Sequence, residues 1–340
     1  MGKTLIKISK KDEQVLFSGT EEHQYCAFPS IVPYGDAVLC MFKLGDAHMR
    51  DAGSIAYLRF LQDGTVTESG VAAKPEEGKN FQNVEVLAFP DGTVRYYVDV
   101  QDIASGKTRL GMFCGDVVSA GDRLAFPYDP AVVTDRDGTA YGYAFDGCPV
   151  PGGYLLLAMT FPELESPAPE KTPVLLFSSD GKTWEKRLGL NEAFNGSFNE
   201  SALCTIGETV YLALRGYEGT TVFAACTPEG EVSAFRRVTK ETDGIDEIGR
   251  PSLFADGDRL FCLCRCYTEK GQPMELRLLE LCPDTLAVRR QVLLDTGTRD
   301  GYYAEAYLDG NDFCVVTYKQ HGGEEKPSIV LLRYLWDELR

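Results

Sequence analysis

Along most of this chain apolar and polar positions alternate in short runs, and Asp-Gly, Gly-Asp and Pro-containing turns break the runs. A two-residue period belongs to strands, and the helical period of about 3.6 is nearly absent, so the pattern predicts an all-β protein. The clearest stretch is Phe198 to Tyr217, FNESALCTIGETVYLALRGY, which reads as two strands joined by a Gly-containing turn. An antiparallel hairpin brings its first and last residues side by side at its open end. Glu200 at the entry and Arg215 and Tyr217 at the exit therefore share one rim of one β unit.

The same plan recurs. Units open near Gln24-Tyr25, Phe81-Gln82, Tyr141-Gly142, Phe198-Asn199, Gly249-Arg250 and Gly301-Tyr302, each with material for four strands. Six units about 55 residues apart predict a six-bladed β-propeller with four-stranded antiparallel blades, as a single domain over residues 1–340. The early run TLIKISKKDEQVLFSG is left over and is expected to supply the outer strand of the last blade, closing the ring.

Charge narrows the partners. With 51 acidic against 34 basic residues the formal net charge is −17, which argues against nucleic acid and against anionic membrane surfaces. The N-terminal MGKTLIKISKKDEQ shows no apolar leader and no run reaches the length of a membrane span, so the sequence reads as cytoplasmic. The eleven cysteines lie mostly within apolar runs, Cys262, Cys264 and Cys266 on one strand face. They read as reduced core residues. No Cys-x-x-Cys or Cys/His spacing suggests zinc and no EF-hand loop suggests calcium, so no metal is expected, and no cofactor. Nothing in the sequence sets an oligomeric state.

One motif is more specific. Ser178-Ser179-Asp180-Gly181-Lys182-Thr183-Trp184 resembles the Asp box, the Ser-x-Asp-Gly-x-Thr-Trp turn of sialidase-like propellers. In such a turn Asp and Ser bond turn amides, Gly takes the positive-φ position and Trp packs between blades, so it is a folding device. Ala27-Phe28-Pro29-Ser30-Ile31 is similar to the strand that opens sialidases, and Gly301-Tyr302 to the segment carrying their nucleophile. Glu200 stands fifteen positions before Arg215, a spacing similar to that family's Glu and second Arg. There is one departure: Ala27 occupies the place of the family's first arginine. That loss removes a charge-assisted contact worth about 2–3 kcal/mol in a dry site.

The resemblance implies a glycoside hydrolase acting on the terminal sugar of an oligosaccharide, a sugar other than sialic acid given Ala27. It implies Tyr302 as nucleophile with Glu200 as its base, because a phenol of pKa about 10 attacks only when a carboxylate takes its proton. Asp51 matches the general acid, and Arg215 and Arg265 the remaining arginines, with Arg250 a rival for the third place. Aligned rim positions add His48, Glu85, Tyr303, Glu305 and His321 as carbohydrate contacts. Glu85, Glu200 and Glu305 also offer a two-carboxylate site that needs no tyrosine. The alternatives are a lyase on a uronate-containing glycan using His48, and a non-catalytic glycan-binding propeller.

Overall fold

The computed structural model describes residues 5–104, 109–160, 172–216, 220–245, 247–267, 274–320 and 325–340; Tyr217 and the candidate His321 lie outside the described residues. The described residues form six small antiparallel sheets in a ring, a six-bladed β-propeller. From inner to outer strand, blade one is Tyr25–Tyr34, Ala37–Gly45, Ser54–Leu61 and Val66–Ala73. Blades two to five begin at the inner strands Lys79–Ala88, Tyr141–Val150, Phe198–Ile206 and Glu247–Asp256. Blade six has Glu305–Asp309 innermost, then Asp312–Gln320 and Pro327–Leu335, and its outer strand is Asp12–Phe17 from the start of the chain. The expected closure is therefore present. Leu5–Lys7 makes a second closure that the pattern did not foretell, pairing parallel to Val288–Thr296 on the outer edge of blade five.

A hydrophobic cluster fills each of the six junctions between neighbouring blades. Phe42 and Leu58 meet Val316 and Leu331 between blades one and six, while Met41 and Tyr57 meet Val86 and Val98 between blades one and two. The other four clusters fill the remaining junctions around the ring. Successive strand residues point to opposite faces, and both faces of a blade are covered. Second and third strands are consequently largely buried, and all nine residues of Ala37–Gly45 are buried. Nine of the eleven free cysteines lie in the clusters between blades, as small apolar residues.

The 178–184 turn works as its residues predict. Ser178 Oγ accepts from the amides of Asp180 and Gly181, and Asp180 Oδ1 accepts from those of Lys182 and Thr183, each of the latter two at 2.8 Å. Gly181 has φ +69°, and a Cβ there would stand 2.4 Å from Arg95 Nη1. Trp184 is buried in the junction of blades two and three. Among the described residues no helix is long and apolar enough to cross a membrane.

Candidate functional site

Five of the six inner strands bulge near their start, with one extra residue relative to the partner strand at Ala27/Ser30, Phe81/Val84, Phe198/Ser201 and Gly249/Ser252, and two in succession at Gly142/Ala144 and Ala144/Asp146. Blade six does the same between the Gly301–Lys319 bridge and the Glu305–Val316 pair. A bulge re-aims its side chains and ends regular pairing. In four blades it holds a non-glycine residue at positive φ: Phe28 at 58°, Tyr143 at 65°, Arg250 at 38° and Tyr302 at 62°. Left-handed backbone at such residues costs about 1–3 kcal/mol each. The strain is concentrated around one mouth of the channel.

A pocket of about 560 Å³ opens there, and the bulges supply Phe28, Gln82, Asn83, Tyr143, Asn199, Glu200 and Tyr303 to its wall. Glu200 is buried in its wall. Its carboxylate accepts from the Tyr303 hydroxyl on one oxygen and from Arg215 Nη1 on the other. Arg215 also grips Glu247 at 2.8 Å. The Arg265 guanidinium stands 5.1 Å from the centroid of the Tyr303 ring and that of Arg250 stands 5.7 Å away. Burial alone would raise the Glu200 pKa, but the charges of Arg215 and Arg265 and the Tyr303 hydrogen bond outweigh it and hold it at about 2. Burial, with the Glu200 charge beside it, pushes the Tyr303 phenol above its usual value.

Several expectations need correcting. Tyr302 does not meet Glu200: it is fully buried, and its hydroxyl donates to Asp295 at 3.0 Å in the junction of blades five and six. The left-handed backbone at Tyr302 turns that ring inward and presents Tyr303, its neighbour, to the pocket. Asp51 is not a free loop acid. One carboxylate oxygen pairs with the buried Lys43 ammonium at 2.6 Å, and the other accepts from the Asp46 and Ala47 amides. Against burial, these partners keep the Asp51 pKa low.

Glu85, Glu305 and Arg250 are not at this rim either. All inner strands run the same way along the channel, so residues later in them reach the opposite mouth. There Glu85, Asp146 and Glu305 line a second cavity of about 400 Å³. Arg250 lies beneath Tyr303 and donates to Glu85 at 2.8 Å. Glu305 accepts from the Ile31 amide of blade one at 2.7 Å, and Asp146 from the Leu203 amide of blade four at 2.9 Å. These carboxylates tie neighbouring inner strands together.

His48, Arg215, Arg265 and Tyr303 do line the pocket with Glu200. Sequence reasoning missed Arg109, Arg299 and Asp300, which line it too. Arg109 bonds Asp99 at 2.9 Å and stacks 4.5 Å from the Tyr143 ring centroid. Its signal was register: it opens the third strand of blade two opposite Gln101, a rim position. Asp300 stands two residues before the expected tyrosine and accepts from both Tyr25, at 2.6 Å, and Tyr318, at 3.0 Å. Ala27 is buried in the junction of blades one and six, so it brings no guanidinium to the pocket, which its neighbour Phe28 lines.

No family model matches the sequence. An adenylosuccinate synthetase of Lysinibacillus sphaericus (strain C3-41) is 25% identical over 218 residues, covering 62% of this chain and 47% of that protein. The chain thus spans about half the length of the curated relative it matches. Solved structures are similar over nearly the whole chain. A protein of unknown function from Dyadobacter fermentans DSM 18053 has a TM-score of 0.74 and 17% identity, covering 96% of this chain and 98% of that one. The Trypanosoma rangeli sialidase, solved as a covalent intermediate with 2,3-difluorosialic acid, has a TM-score of 0.61 and 11% identity, covering 95% and 59%. A mutant NanB sialidase from Streptococcus pneumoniae has a TM-score of 0.67 and 10% identity, covering 97% and 71%. By its six blades and by this likeness, the chain has the six-bladed β-propeller fold that these sialidases share.

Proposed function

We propose that this protein is a glycoside hydrolase that removes a terminal sugar from an oligosaccharide through a covalent tyrosyl intermediate. The observation that carries the reading is the Tyr303–Glu200–Arg215 constellation, a phenol hydrogen-bonded to a carboxylate that an arginine orients. Tyr303 is the nucleophile and Glu200 the group that takes its proton. Unliganded, Glu200 is a weak base because Arg215 and Arg265 hold its pKa at about 2. An anionic sugar substituent bound against Arg265 draws off part of that field. Glu200 then becomes more basic as the substrate settles.

Arg109, Arg265 and Arg299 line the same pocket, which favours a sugar with an acidic group. The clamp differs from the one expected of a sialidase, because Ala27 stands at the family's first arginine position and blade one lines the pocket with Phe28. The T. rangeli neighbour's covalent intermediate is a property of that enzyme, and it supports the reading by analogy of fold. The test is a turnover screen over aryl glycosides that includes a sialoside, neutral sugars and uronides. Release of phenol from an acidic glycoside is the expected result. Binding of such sugars without turnover would overturn the enzyme reading and leave a glycan-binding propeller. An unsaturated product absorbing in the ultraviolet would replace hydrolysis by elimination.

A further inference from the structure

We infer that His48, oriented by Tyr25 and Asp300, is the proton donor to the leaving group, in the place that Asp51 does not fill. The inference rests on the glycosidase reading above. His48 follows the second strand of blade one, has a side chain 48% exposed, and lines the pocket with Glu200 and Tyr303. The Phe28 ring packs against both candidate groups, 5.0 Å from the His48 centroid and 4.9 Å from that of Tyr303. A sugar lying over Phe28 would thus lie within reach of both.

Hydrogen-bond accounting fixes the imidazole. The Tyr25 hydroxyl has one hydrogen, and it donates to Asp300 Oδ2 at 2.6 Å. His48 Nδ1 lies 2.9 Å from the same hydroxyl oxygen, so Nδ1 must bring the hydrogen for that bond. Asp300 Oδ1 lies 3.5 Å from the same Nδ1 and also accepts from Tyr318. Both Asp300 oxygens are therefore committed behind the ring, and among the described residues none bonds Nε2. Asp300 stays ionised: burial would raise its pKa, but hydrogen bonds from His48 and Tyr25 hold it low. A carboxylate behind one nitrogen steadies the ring whenever the other nitrogen carries a proton into the pocket.

In the first step Tyr303 Oη bonds to the anomeric carbon as the glycosidic C–O bond breaks. The Tyr303 proton passes to Glu200, and the Nε2 proton of His48 passes to the departing oxygen. In the second step water attacks the anomeric carbon and its proton goes to His48. The C–O bond to Tyr303 breaks, and the phenolate recovers its proton from Glu200. Asp51, tied to Lys43 and two amides, takes part in neither step.

The test uses the full chain with two glycosides of one acidic sugar, a dinitrophenyl glycoside whose phenolate leaves unaided and an alkyl glycoside whose oxygen needs a proton. His48→Gln should slow the alkyl glycoside by about 10²–10⁴-fold, the usual contribution of a positioned acid. It should change the dinitrophenyl rate only a few-fold and abolish the high-pH limb of kcat/KM. Asp300→Asn, a change at a positioning residue, should shift that limb. Equal slowing of both glycosides by His48→Gln, or none, overturns the inference while the glycosidase reading stands. Wild-type protein inert on both sinks that reading and this inference with it. Imidazole ¹⁵N shifts of the free protein give a check that needs no substrate: neutral His48 should carry its hydrogen on Nδ1, and a hydrogen on Nε2 contradicts the assignment.

Discussion

Tyr302 and Tyr303 differ by one position and end in different surroundings, one hydroxyl on Asp295 between blades and the other on Glu200 in the pocket. Tyr303→Phe should therefore abolish glycoside turnover, while Tyr302→Phe should keep it and lose only some stability. Parallel kinetics and thermal unfolding of the two variants check this. Glu200→Gln should cost about 10²–10⁴-fold in kcat, as expected for a group that takes the proton of the nucleophile. At this scale residue types and their rim were legible in the sequence, but not where each side chain aims. Glu200, Arg215 and Arg265 could be placed from hairpin register, because pairing fixes which ends meet. The choice between adjacent tyrosines depends on a bulge with φ of 62° at Tyr302, and side-chain alternation cannot reveal an inserted residue. Asp51 failed for a different reason. Its role depends on the buried Lys43 eight residues earlier, and lysine in an apolar strand gives no sign of which acid it will meet.

Among the elements, the loop after the second strand of blade one is held by the Lys43–Asp51 pair and by the amides that Asp51 caps. Removing one partner of a buried ion pair leaves an uncompensated charge and costs about 3–5 kcal/mol. Asp51→Ala should destabilise the protein by that order, read as a lower midpoint in denaturant. Because His48 is carried on the same loop, the rate should fall too, while the pH limits of kcat/KM in the surviving activity stay where they were. A general acid at Asp51 would instead move or erase one limit. The inner strands hold a second device, in which Glu305 and Asp146 accept amides from the next blade. Burial, against the charge of Arg250, pushes both of these carboxylates up to about 7, and the Glu305 charge adds to the rise at Asp146.

Across the whole molecule those two raised carboxylates set a pH dependence. A carboxyl whose pKa is higher in the fold than in the unfolded chain, where it lies near about 4, favours the fold fully at low pH. That contribution is lost as pH rises through about 7. Each tenfold difference in proton affinity between fold and unfolded chain is worth about 1.4 kcal/mol. Glu305→Gln keeps an acceptor for Ile31 and removes the ionisation, so it should stabilise the protein at pH 8 and give no gain near pH 4. Denaturant unfolding at the two values checks the sign, and a gain that grows toward acid contradicts it. Ring closure belongs to this scale as well. A chain beginning after Phe17 lacks the outer strands on blades five and six and exposes the edge of Pro327–Leu335, whose residues are nearly all buried. It should melt well below the full chain and associate through that edge. The propeller was legible because six repeats and their turns are written into local pattern. The parallel strand Leu5–Lys7 was not, since three residues carry too little pattern to name a partner nearly 290 positions away.

Everything proposed for the pocket depends on Tyr303 forming the bond to the sugar. That bond can be trapped by inactivating the protein with a 2,3-difluoro derivative of whichever acidic sugar it cleaves, digesting it, and mapping the adduct by mass spectrometry. The expected result is a glycosyl group on Tyr303, absent in Tyr303→Phe and retained in Tyr302→Phe. An adduct on Glu200 or on any other carboxylate, or turnover that survives in Tyr303→Phe, would show that Tyr303 is not the nucleophile.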